Sequence, residues 1–411
     1  AIRNTNEREP TEGYDIHTTI NTNFQDLAHN TLLNQLEKYE AQFGTVILME
    51  VQTGAIKAIV NLGRTNKGAY YEKLNYAVGF AQEPGSTFKL ISMMAALEDN
   101  YINPGDIVQT GNGERIIYGK TVRDSKKGGY GKITASKVFE VSSNTGIVNI
   151  IYDNYKDNPK KFVDRIYNMG IHKPLGIPIK GEANPKIPYP TDRDWNGLSL
   201  PWMAWGYGVA LTPLQILSFY NAVANDGVMV KPNFIKQIGK MGSKPHIKFN
   251  KKIINPSICS EKTLKIVKEM LSNVVKQKWG TANNIKDENI NISGKTGTTQ
   301  INYNTDSIEY NSSFVGYFPS DKPRYSCIVV INKPNKKIGY YGAKVAAPVF
   351  QEIARRVHSG IFREEAVSIS NLKKSNIKNI KITDRLPNLI GYELMDVIPV
   401  SYTHLTLPTI E

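Results

Sequence analysis

The buried centre of this chain is encoded at residues 84–97, PGSTFKLISMMAAL, where a chain-breaking pair precedes an almost unbroken apolar run. The pair Pro84-Gly85 interrupts the preceding structure, so the run predicts a buried helix that begins at Ser86. Lys89 follows three residues later, and side chains at this spacing share one face, with Cβ atoms about 5–6 Å apart. The stretch therefore predicts a hydroxyl beside an amine in the first turn of a buried helix.

Ser86 and Lys89 are a candidate nucleophile and base. A serine hydroxyl is a weak nucleophile and needs a base. Burial, the positive end of the helix dipole and a second cation at Lys295 all favour the neutral form of Lys89. A neutral lysine can accept the serine proton, a step worth about 10²–10⁴ in rate. A capping serine with an exposed lysine is the simpler alternative, because residues 370–373 and 375–378 repeat the spacing in a polar segment.

A second polar motif, Ser142-Ser143-Asn144, follows the first along the chain. The Ser142 hydroxyl could relay a proton to a leaving group, and the Asn144 carboxamide could hold a substrate amide. Taken alone, the motif is equally typical of a turn that ends a helix.

The third motif, Lys295-Thr296-Gly297-Thr298, lies in a segment that predicts a strand. Gly297 lets a ligand approach the backbone, while the lysine and threonines suit a substrate carboxylate. The backbone N–H groups of Ser86 and Thr298 could form an oxyanion hole, each donor worth about 10²–10³ in rate. An ordinary edge strand with a solvated lysine is the alternative. The three motifs in this order nevertheless predict a serine acyl-transfer site.

The wider pattern predicts an α+β fold in which strands from both ends of the chain share one sheet. Thr22 and Gln25 are interpreted as a capping box that begins the first helix. Thr212-Pro213-Leu214-Gln215 gives a second helix start. The predicted helices are 22–43, 86–97, 212–225, 260–280 and 345–357, and the predicted strands are 45–51, 55–60, 292–298, 313–318 and 325–331.

Composition excludes several classes of protein. The chain has 411 residues, 40% of them hydrophobic, and a net charge of +14, which suits an anionic neighbour such as nucleic acid, membrane or a carboxylate-rich cell wall. The sequence has no concentrated basic stripe and no aromatic RNA-binding run, so we expect no nucleic-acid partner.

The six histidines are scattered and the two cysteines form no framework, so we expect no metal and no cofactor. No run approaches the roughly 18 apolar residues of a membrane helix, which predicts a soluble chain or the soluble piece of a longer protein.

The segments around these motifs resemble the transpeptidase domain of class B penicillin-binding proteins, and most of all its division-specific branch. The resemblance covers residues 13–358. Besides the motifs, it includes GYDIHTTI at 13–20, EPG at 83–85, WGYGV at 205–209, TPLQ at 212–215, FVGYFP at 314–319 and AAPVF at 346–350.

The resemblance implies the penicilloyl-serine transferase fold of β-lactamases and transpeptidases, with a five-stranded antiparallel sheet lobe beside an all-helical lobe. It implies that Ser86 is the acylated nucleophile, Lys89 its base and Ser142 the proton relay. Residues that would bind substrate are Asn144, Lys295, Thr296, Gly297 and Thr298, and the backbone N–H groups of Ser86 and Thr298 would form the oxyanion hole.

The implied reaction attacks a D-Ala-D-Ala stem peptide of peptidoglycan, releases D-Ala and transfers the acyl group to an amine on a neighbouring stem. β-Lactams would trap Ser86. The resemblance further implies cell-division or wall-synthesis proteins as partners. It also implies a place at the extracytoplasmic face of the bacterial plasma membrane, reached through an N-terminal membrane anchor and a pedestal domain. The sequence shows neither of these, so we expect a fragment.

The predicted domain layout is a linker at 1–12, the transpeptidase domain at 13–358, a linker at 359–384, a segment at 385–400 and a tail at 401–411. Residues 386–396, LPNLIGYELMD, resemble the start of a PASTA module, a wall-binding domain, although a plain amphipathic tail is the alternative. The tail at 401–411 matches neither the preceding pattern nor any motif, and a non-native origin is one interpretation of it.

Three other activities share these motifs. A class A β-lactamase needs a glutamate over the deacylating water; Glu182-Ala183-Asn184 comes nearest, at the wrong spacing. A D,D-carboxypeptidase, which passes the acyl group to water, uses the same residues and stays open. A β-lactam sensor or inactive scaffold is the non-enzymatic alternative.

Overall fold

The structure, a computed structural model, describes residues 13–240, 244–301 and 308–360. All of these residues fall in one compact unit. The predicted linker at 1–12, nearly all of the linker at 359–384, the PASTA-like segment and the tail lie outside the described residues.

The helices of the described residues are α1 (Thr22–Tyr39), α2 (Tyr76–Gly79), α3 (Lys89–Glu98), α4 (Ala135–Glu140), α5 (Asn144–Tyr155), α6 (Pro159–Asn168), α7 (Ser199–Met203), α8 (Pro213–Ala224), α9 (Glu261–Lys276), α10 (Gly342–Val345) and α11 (Ala347–Ser359). Short 3₁₀ turns occupy Gly85–Phe88 and Asn283–Ile285. No helix of these residues combines the length and the hydropathy that crossing a bilayer requires.

The strands of the same residues are β1 (Asp15–Thr18), β2 (Phe43–Glu50), β3 (Ile56–Arg64), β4 (Tyr70–Glu72), β5 (Ile107–Gly111), β6 (Glu114–Ile117), β7 (Lys120–Arg123), β8 (Gly131–Thr134), β9 (Met229–Val230), β10 (Ile235–Gly239), β11 (Ile247–Lys248), β12 (Ile253–Asn255), β13 (Ser293–Ile301), β14 (Glu309–Phe318) and β15 (Tyr325–Asn332).

The main sheet is antiparallel, with the strand order β13-β14-β15-β2-β3-β4. Strands β2 and β15 pair across almost the whole chain, with Val46 opposite Val329. The predicted hairpin at 45–60 is confirmed as β2 and β3, and so is the sharing of one sheet by both ends of the chain.

The sheet has six strands in the described residues, so the expected number of five was wrong. The extra strand β4 is only three residues long and pairs with the end of β3. It forms because β3 continues to Arg64, and a turn at 65–69, closed by the bond from Thr65 N to the Ala69 carbonyl, brings the chain back alongside.

Helices cover the two faces of the sheet. On one face α1 and α11 pack, with Leu36 against Gly44 and Phe350 against Phe314. On the other face lies α8, whose Asn221 bonds to the Val51 carbonyl and to the Ser326 hydroxyl. All twelve residues of α8 are buried, so this helix is the core between the sheet and the remaining helices.

The helical part of the molecule contains α3 to α7 but is not wholly helical as expected. Two small antiparallel ribbons, β5 with β8 and β6 with β7, lie in the region 107–134. This region contains six glycines, which favour turns over helix. It brings the end of β7 next to the start of α5, where Arg123 accepts a bond from Asn144.

The structure confirms the predicted start of α8 but not the capping box predicted for α1. The predicted start of α8 is confirmed, with Thr212 and Gln215 forming a reciprocal capping box. The capping box predicted at Thr22 was wrong, because Asn21 caps α1 and the Gln25 side chain instead bonds both ways to the backbone of Ile59 in β3. The tertiary contact outcompetes the local one there.

Candidate active site

The predicted nucleophile lies at a tight junction of three segments. Gly85 adopts a left-handed conformation with φ of 54°, and its N–H donates to the Gly206 carbonyl at 3.1 Å. A Cβ at Gly85 would collide with the Thr299 hydroxyl of β13, so only glycine fits. Ser86 follows, half-buried at the wall of a cavity. Its hydroxyl has no hydrogen-bond partner within the described ranges.

Lys89 is fully buried at the start of α3, which confirms the predicted burial of this helix. Its ammonium donates to the Ser142 carbonyl at 2.7 Å, to the Ser142 hydroxyl at 3.1 Å and to Asn144 Oδ1 at 2.6 Å. The first and second motifs therefore meet at Lys89 Nζ, across more than 50 residues of sequence. The alternative of an exposed lysine does not hold.

Burial lowers the pKa of Lys89 to about 7, against an opposing effect of the negative charge on Asp124. Burial, and not the predicted charge of Lys295, is the cause of the lowered pKa of Lys89. Burial lowers the pKa of Lys295 well below its ordinary value, and the charge of Lys89 lowers it further. Two buried lysine side chains thus interact, and Lys89 is poised between its protonated and neutral forms near neutral pH.

The second motif forms the link between α4 and α5. Ser142 adopts a left-handed conformation with φ of 57°, which is unusual for a residue other than glycine. Ser143 is the N-cap of α5 and accepts from the backbone of Gly146. Asn144 begins the helix, and its Nδ2 donates to the Arg123 carbonyl at 2.7 Å. The carboxamide is therefore held at both ends, by Lys89 and by Arg123.

The third motif lies on β13, the edge strand of the sheet. Successive side chains of a strand point to opposite faces. Lys295 and Gly297 face the helices, where Lys295 Nζ lies 5.7 Å from the centre of the Phe139 ring. Lys295 is fully buried and donates to the Thr296 carbonyl at 3.1 Å, so it is not a solvated surface lysine.

The threonines of this motif point to the other side and line the cavity. The Thr296 hydroxyl lies 2.8 Å from the hydroxyl of Thr281, and the Thr298 hydroxyl accepts from Gly342 N at 2.9 Å. A Cβ at Gly297 would collide with the Ser313 hydroxyl and lie 3.0 Å from the Thr87 methyl group. This glycine permits the close packing of β13 on the nucleophile turn.

The cavity has a volume of about 680 Å³. Among the predicted site residues, the structure brings Ser86, Ser142, Asn144, Thr296 and Thr298 to its wall. Lys89 and Lys295 lie behind that wall. The volume is typical of a site for a small molecule or the end of a peptide. Within the described part of the chain, no three His, Cys, Asp or Glu side chains are arranged to bind a metal ion.

Sequence reasoning missed several residues of the cavity wall, which are Arg123, Asp124, Thr281, Trp205, Tyr207, Tyr310, Tyr340 and Tyr341. Tyr310 and Tyr340 stack with ring centres 4.1 Å apart, and the Tyr207 hydroxyl accepts from Gln300 N at 3.0 Å. The placement of these residues depends on packing between distant segments. Only Trp205 and Tyr207 lie in a segment that the sequence analysis singled out, WGYGV at 205–209.

Comparison with known proteins gives consistent matches. The chain is 27% identical over 398 residues to stage V sporulation protein D of Bacillus subtilis. The matched residues make up 94% of this chain and 60% of that protein. It is 27% identical to a probable peptidoglycan D,D-transpeptidase, PenA, of Neisseria flavescens, over 84% of this chain and 82% of that one.

Solved structures agree with these relatives. A crystal structure of penicillin-binding protein 3 from Mycobacterium tuberculosis, complexed with aztreonam, matches with a TM-score of 0.74 and 25% identity, over 87% of this chain and 81% of that chain. The family described as the penicillin binding protein transpeptidase domain matches residues 44–355, which is most of the chain. With the expected fold and the three motifs gathered at one cavity, the chain belongs to the penicillin-binding protein transpeptidase domain family.

Proposed function

We propose that this chain is a peptidoglycan D,D-transpeptidase that works through an acyl-serine intermediate on Ser86. The observation that carries the proposal is the buried Lys89, whose Nζ contacts both Ser142 and Asn144 beside the cavity that Ser86 lines. Relatives named peptidoglycan D,D-transpeptidases support it. The family match at 44–355 lies inside the transpeptidase domain that we place at residues 13–358.

In acylation, Ser86 Oγ attacks the carbonyl carbon of the penultimate D-Ala, and neutral Lys89 takes the hydroxyl proton. The bond to the terminal D-Ala nitrogen then breaks. Ser142 relays a proton from Lys89 to that nitrogen, which the 3.1 Å contact between Lys89 Nζ and Ser142 Oγ favours. In the second half, an amine of a neighbouring stem attacks the ester, and Ser86 recovers its proton.

The oxyanion of each tetrahedral intermediate would bind to the backbone N–H groups of Ser86 and Thr298. Along an edge strand, alternate residues direct their N–H groups away from the partner strand. Gln300 N donates to the Tyr207 hydroxyl, outside the sheet, so Thr298, two residues earlier, also directs its N–H away from β14. That side of β13 faces the turn that carries Ser86. The free edge could also pair with an extended peptide.

The terminal carboxylate of the donor would be held by Thr296 and Thr298, whose side chains line the cavity. Lys295 acts from behind, because it is buried on the opposite side of the strand. Asn144 keeps the cation of Lys89 in place and faces the cavity, where it can meet a substrate amide. Gly297 contributes by its lack of a side chain.

The cavity offers little for hydrolysis of the acyl-enzyme. Among the described lining residues, Asp124 is the only carboxylate, and both of its oxygens accept hydrogen bonds from the start of α5. It is therefore not free to activate a water, which favours transfer to an amine over a β-lactamase activity.

The cellular role follows from the substrate. We place the activity at the extracytoplasmic face of the bacterial plasma membrane, within the cell envelope, because peptidoglycan stems are crosslinked there. Septal wall synthesis with cell-division proteins as partners is our more specific proposal. It is supported by the resemblance to the division-specific branch, with Asn144 at the third place of its motif. β-Lactam binding is supported by the related protein solved with aztreonam.

The test labels the purified chain with a fluorescent penicillin and follows the adduct over hours, with Ser86→Ala in parallel. We expect a stable adduct that the variant loses. An adduct that disappears within minutes would indicate a β-lactamase. Incubation with a D-Ala-D-Ala stem peptide and an amine acceptor then separates transfer from release to water, which would indicate a carboxypeptidase, and from no turnover, which would indicate a sensor.

A further inference from the structure

Asp124 caps a helix that is distant from it in sequence. This residue directly follows β7 and lines the cavity. Its carboxylate accepts from Asn144 N at 2.6 Å and from Thr145 N at 2.9 Å, and also from the hydroxyls of Ser143 and Thr145, each at 2.9 Å. The first N–H groups of a helix have no partner within the helix, and a negative charge is favourable there. Asp124 supplies both needs at α5.

The turn held in this way is the one that surrounds Lys89. Ser142 presents both its carbonyl and its hydroxyl to Lys89 Nζ with its backbone in the left-handed conformation. That conformation is strained for a residue other than glycine and persists where neighbouring contacts enforce it. The bonds of Asp124 to the next three residues, and the bond from Asn144 to the Arg123 carbonyl, are the contacts that can enforce it.

Asp124 also balances charge at the buried lysine. The charged side chains that interact with Lys89 in the described residues are Asp124 after β7 and Lys295 on β13. Burial disfavours the ammonium form of Lys89, and the negative charge of Asp124 favours it. The negative charge therefore keeps the ammonium form accessible, which the second proton transfer to the leaving amine requires.

We propose that Asp124 is the positioning residue of the acylation site: its carboxylate clamps the turn of Ser142 and Asn144 and thereby fixes the three oxygens around Lys89 Nζ. No hydrogen bond joins Asp124 to Ser86 within the described residues, so Asp124 acts through Ser142 and Asn144. The inference rests on the proposed function, because it assigns Asp124 a part in acylation of Ser86.

The experiment measures the rate of acylation by fluorescent penicillin against pH, for the full chain and for Asp124→Asn. We expect acylation about 10- to 100-fold slower in this variant, the cost typical of a displaced catalytic group. We also expect the acid limb of its pH profile to move to lower pH, because the variant removes the one charge that raises the pKa of Lys89. Asp157→Asn, at an exposed position, makes the same change in net charge and should match the unsubstituted chain.

Thr145→Val separates the clamp from the charge. It removes one hydroxyl that donates to Asp124 and leaves the carboxylate intact. We expect a smaller loss of rate with the acid limb unmoved. If Asp124→Asn does not unfold cooperatively, and so does not fold properly, Asp124→Glu is the test variant, because it keeps the charge. Slower acylation with the acid limb of the pH profile unmoved supports the proposal. An acylation rate equal to that of the unsubstituted chain overturns it.

Other outcomes are equally decisive. If Asp124→Asn only reduces the fraction of molecules that label, and those molecules react at the original rate and pH limb, Asp124 is only a helix cap and the proposal is wrong. If the unsubstituted chain labels through Ser86 and Asp124→Asn changes nothing, this inference alone fails. If the unsubstituted chain takes no label, the proposed function fails and takes the inference with it.

Discussion

The Tyr220 hydroxyl of α8 donates a hydrogen bond of 2.8 Å to the Thr87 carbonyl. This bond joins the central buried helix to the residue that directly follows the proposed nucleophile. Both groups are buried, so the bond holds the 3₁₀ turn from beneath while β13 packs on it from the side. The position of Ser86 is thus determined by packing on both sides.

Removal of this bond in Tyr220→Phe should destabilise the fold by about 1 kcal/mol, the usual contribution of a buried hydrogen bond. It should also slow acylation by penicillin several-fold, because the turn loses its support. Urea denaturation and labelling kinetics measure the two effects. Tyr155→Phe is the control, since that buried hydroxyl bonds to Ala95 and Asp99. It should lose stability while labelling at the original rate, and equal labelling by both variants would contradict the role of Tyr220.

Acylation should depend on pH through Lys89. Protonated Lys89 cannot accept the proton of Ser86, and burial lowers its pKa to about 7. We therefore expect the acylation rate to fall as the pH drops below about 7 and to level off above that value. Stopped-flow labelling across this range measures it, with Ser86→Ala as the blank. A flat profile would show that Lys89 is not the base, and an acid limb close to the ordinary pKa of lysine would show that burial does not lower its pKa.

The close approach of β13 to the nucleophile turn can be tested at Gly297. In Gly297→Ala the new methyl group would collide with the Ser313 hydroxyl and press on Thr87, so we expect acylation slower by about tenfold or more. Labelling rates and thermal unfolding measure the effect on the site and on the fold.

The double variant Gly297→Ala with Ser313→Ala is the matched control. It removes the hydroxyl that the new methyl group strikes, so it should recover part of the lost rate. Because the two residues are direct partners across β13 and β14, their effects should not add. Strictly additive losses would mean that the contact does not control the site.

Thr281 should assist in binding the donor carboxylate, because its hydroxyl lies 2.8 Å from that of Thr296 and both line the cavity. Thr281→Val keeps the shape and removes the hydroxyl. We expect acylation by penicillin to slow by about 5- to 10-fold through weaker binding, the cost of about one hydrogen bond. The concentration dependence of the labelling rate separates binding from chemistry. Thr31→Val on α1 is the control, and a loss confined to the chemical step would contradict the prediction.

Local patterns in the sequence determined much of this protein. The apolar run after Pro84-Gly85 gave the buried helix with Lys89 inside it, since such a run is stable only in a core. Alternation and turn residues predicted the hairpin of β2 and β3. The residue types of the three motifs, in their order, indicated the chemistry of the site, because few combinations of side chains can activate a serine without histidine.

Only the tertiary structure decided which groups surround each functional atom. The sequence predicted Lys89 near Ser86 but not the bonds from its ammonium to Ser142 and Asn144, which form because the link between α4 and α5 packs on the start of α3. Gln25 likewise bonds to β3 and not to its own helix end. Asp124 carries no signal of its own in the sequence, since a carboxylate in a loop acquires a role only when folding brings a helix start to it. Local propensities act over a few residues, whereas contacts between distant segments depend on how the whole core packs.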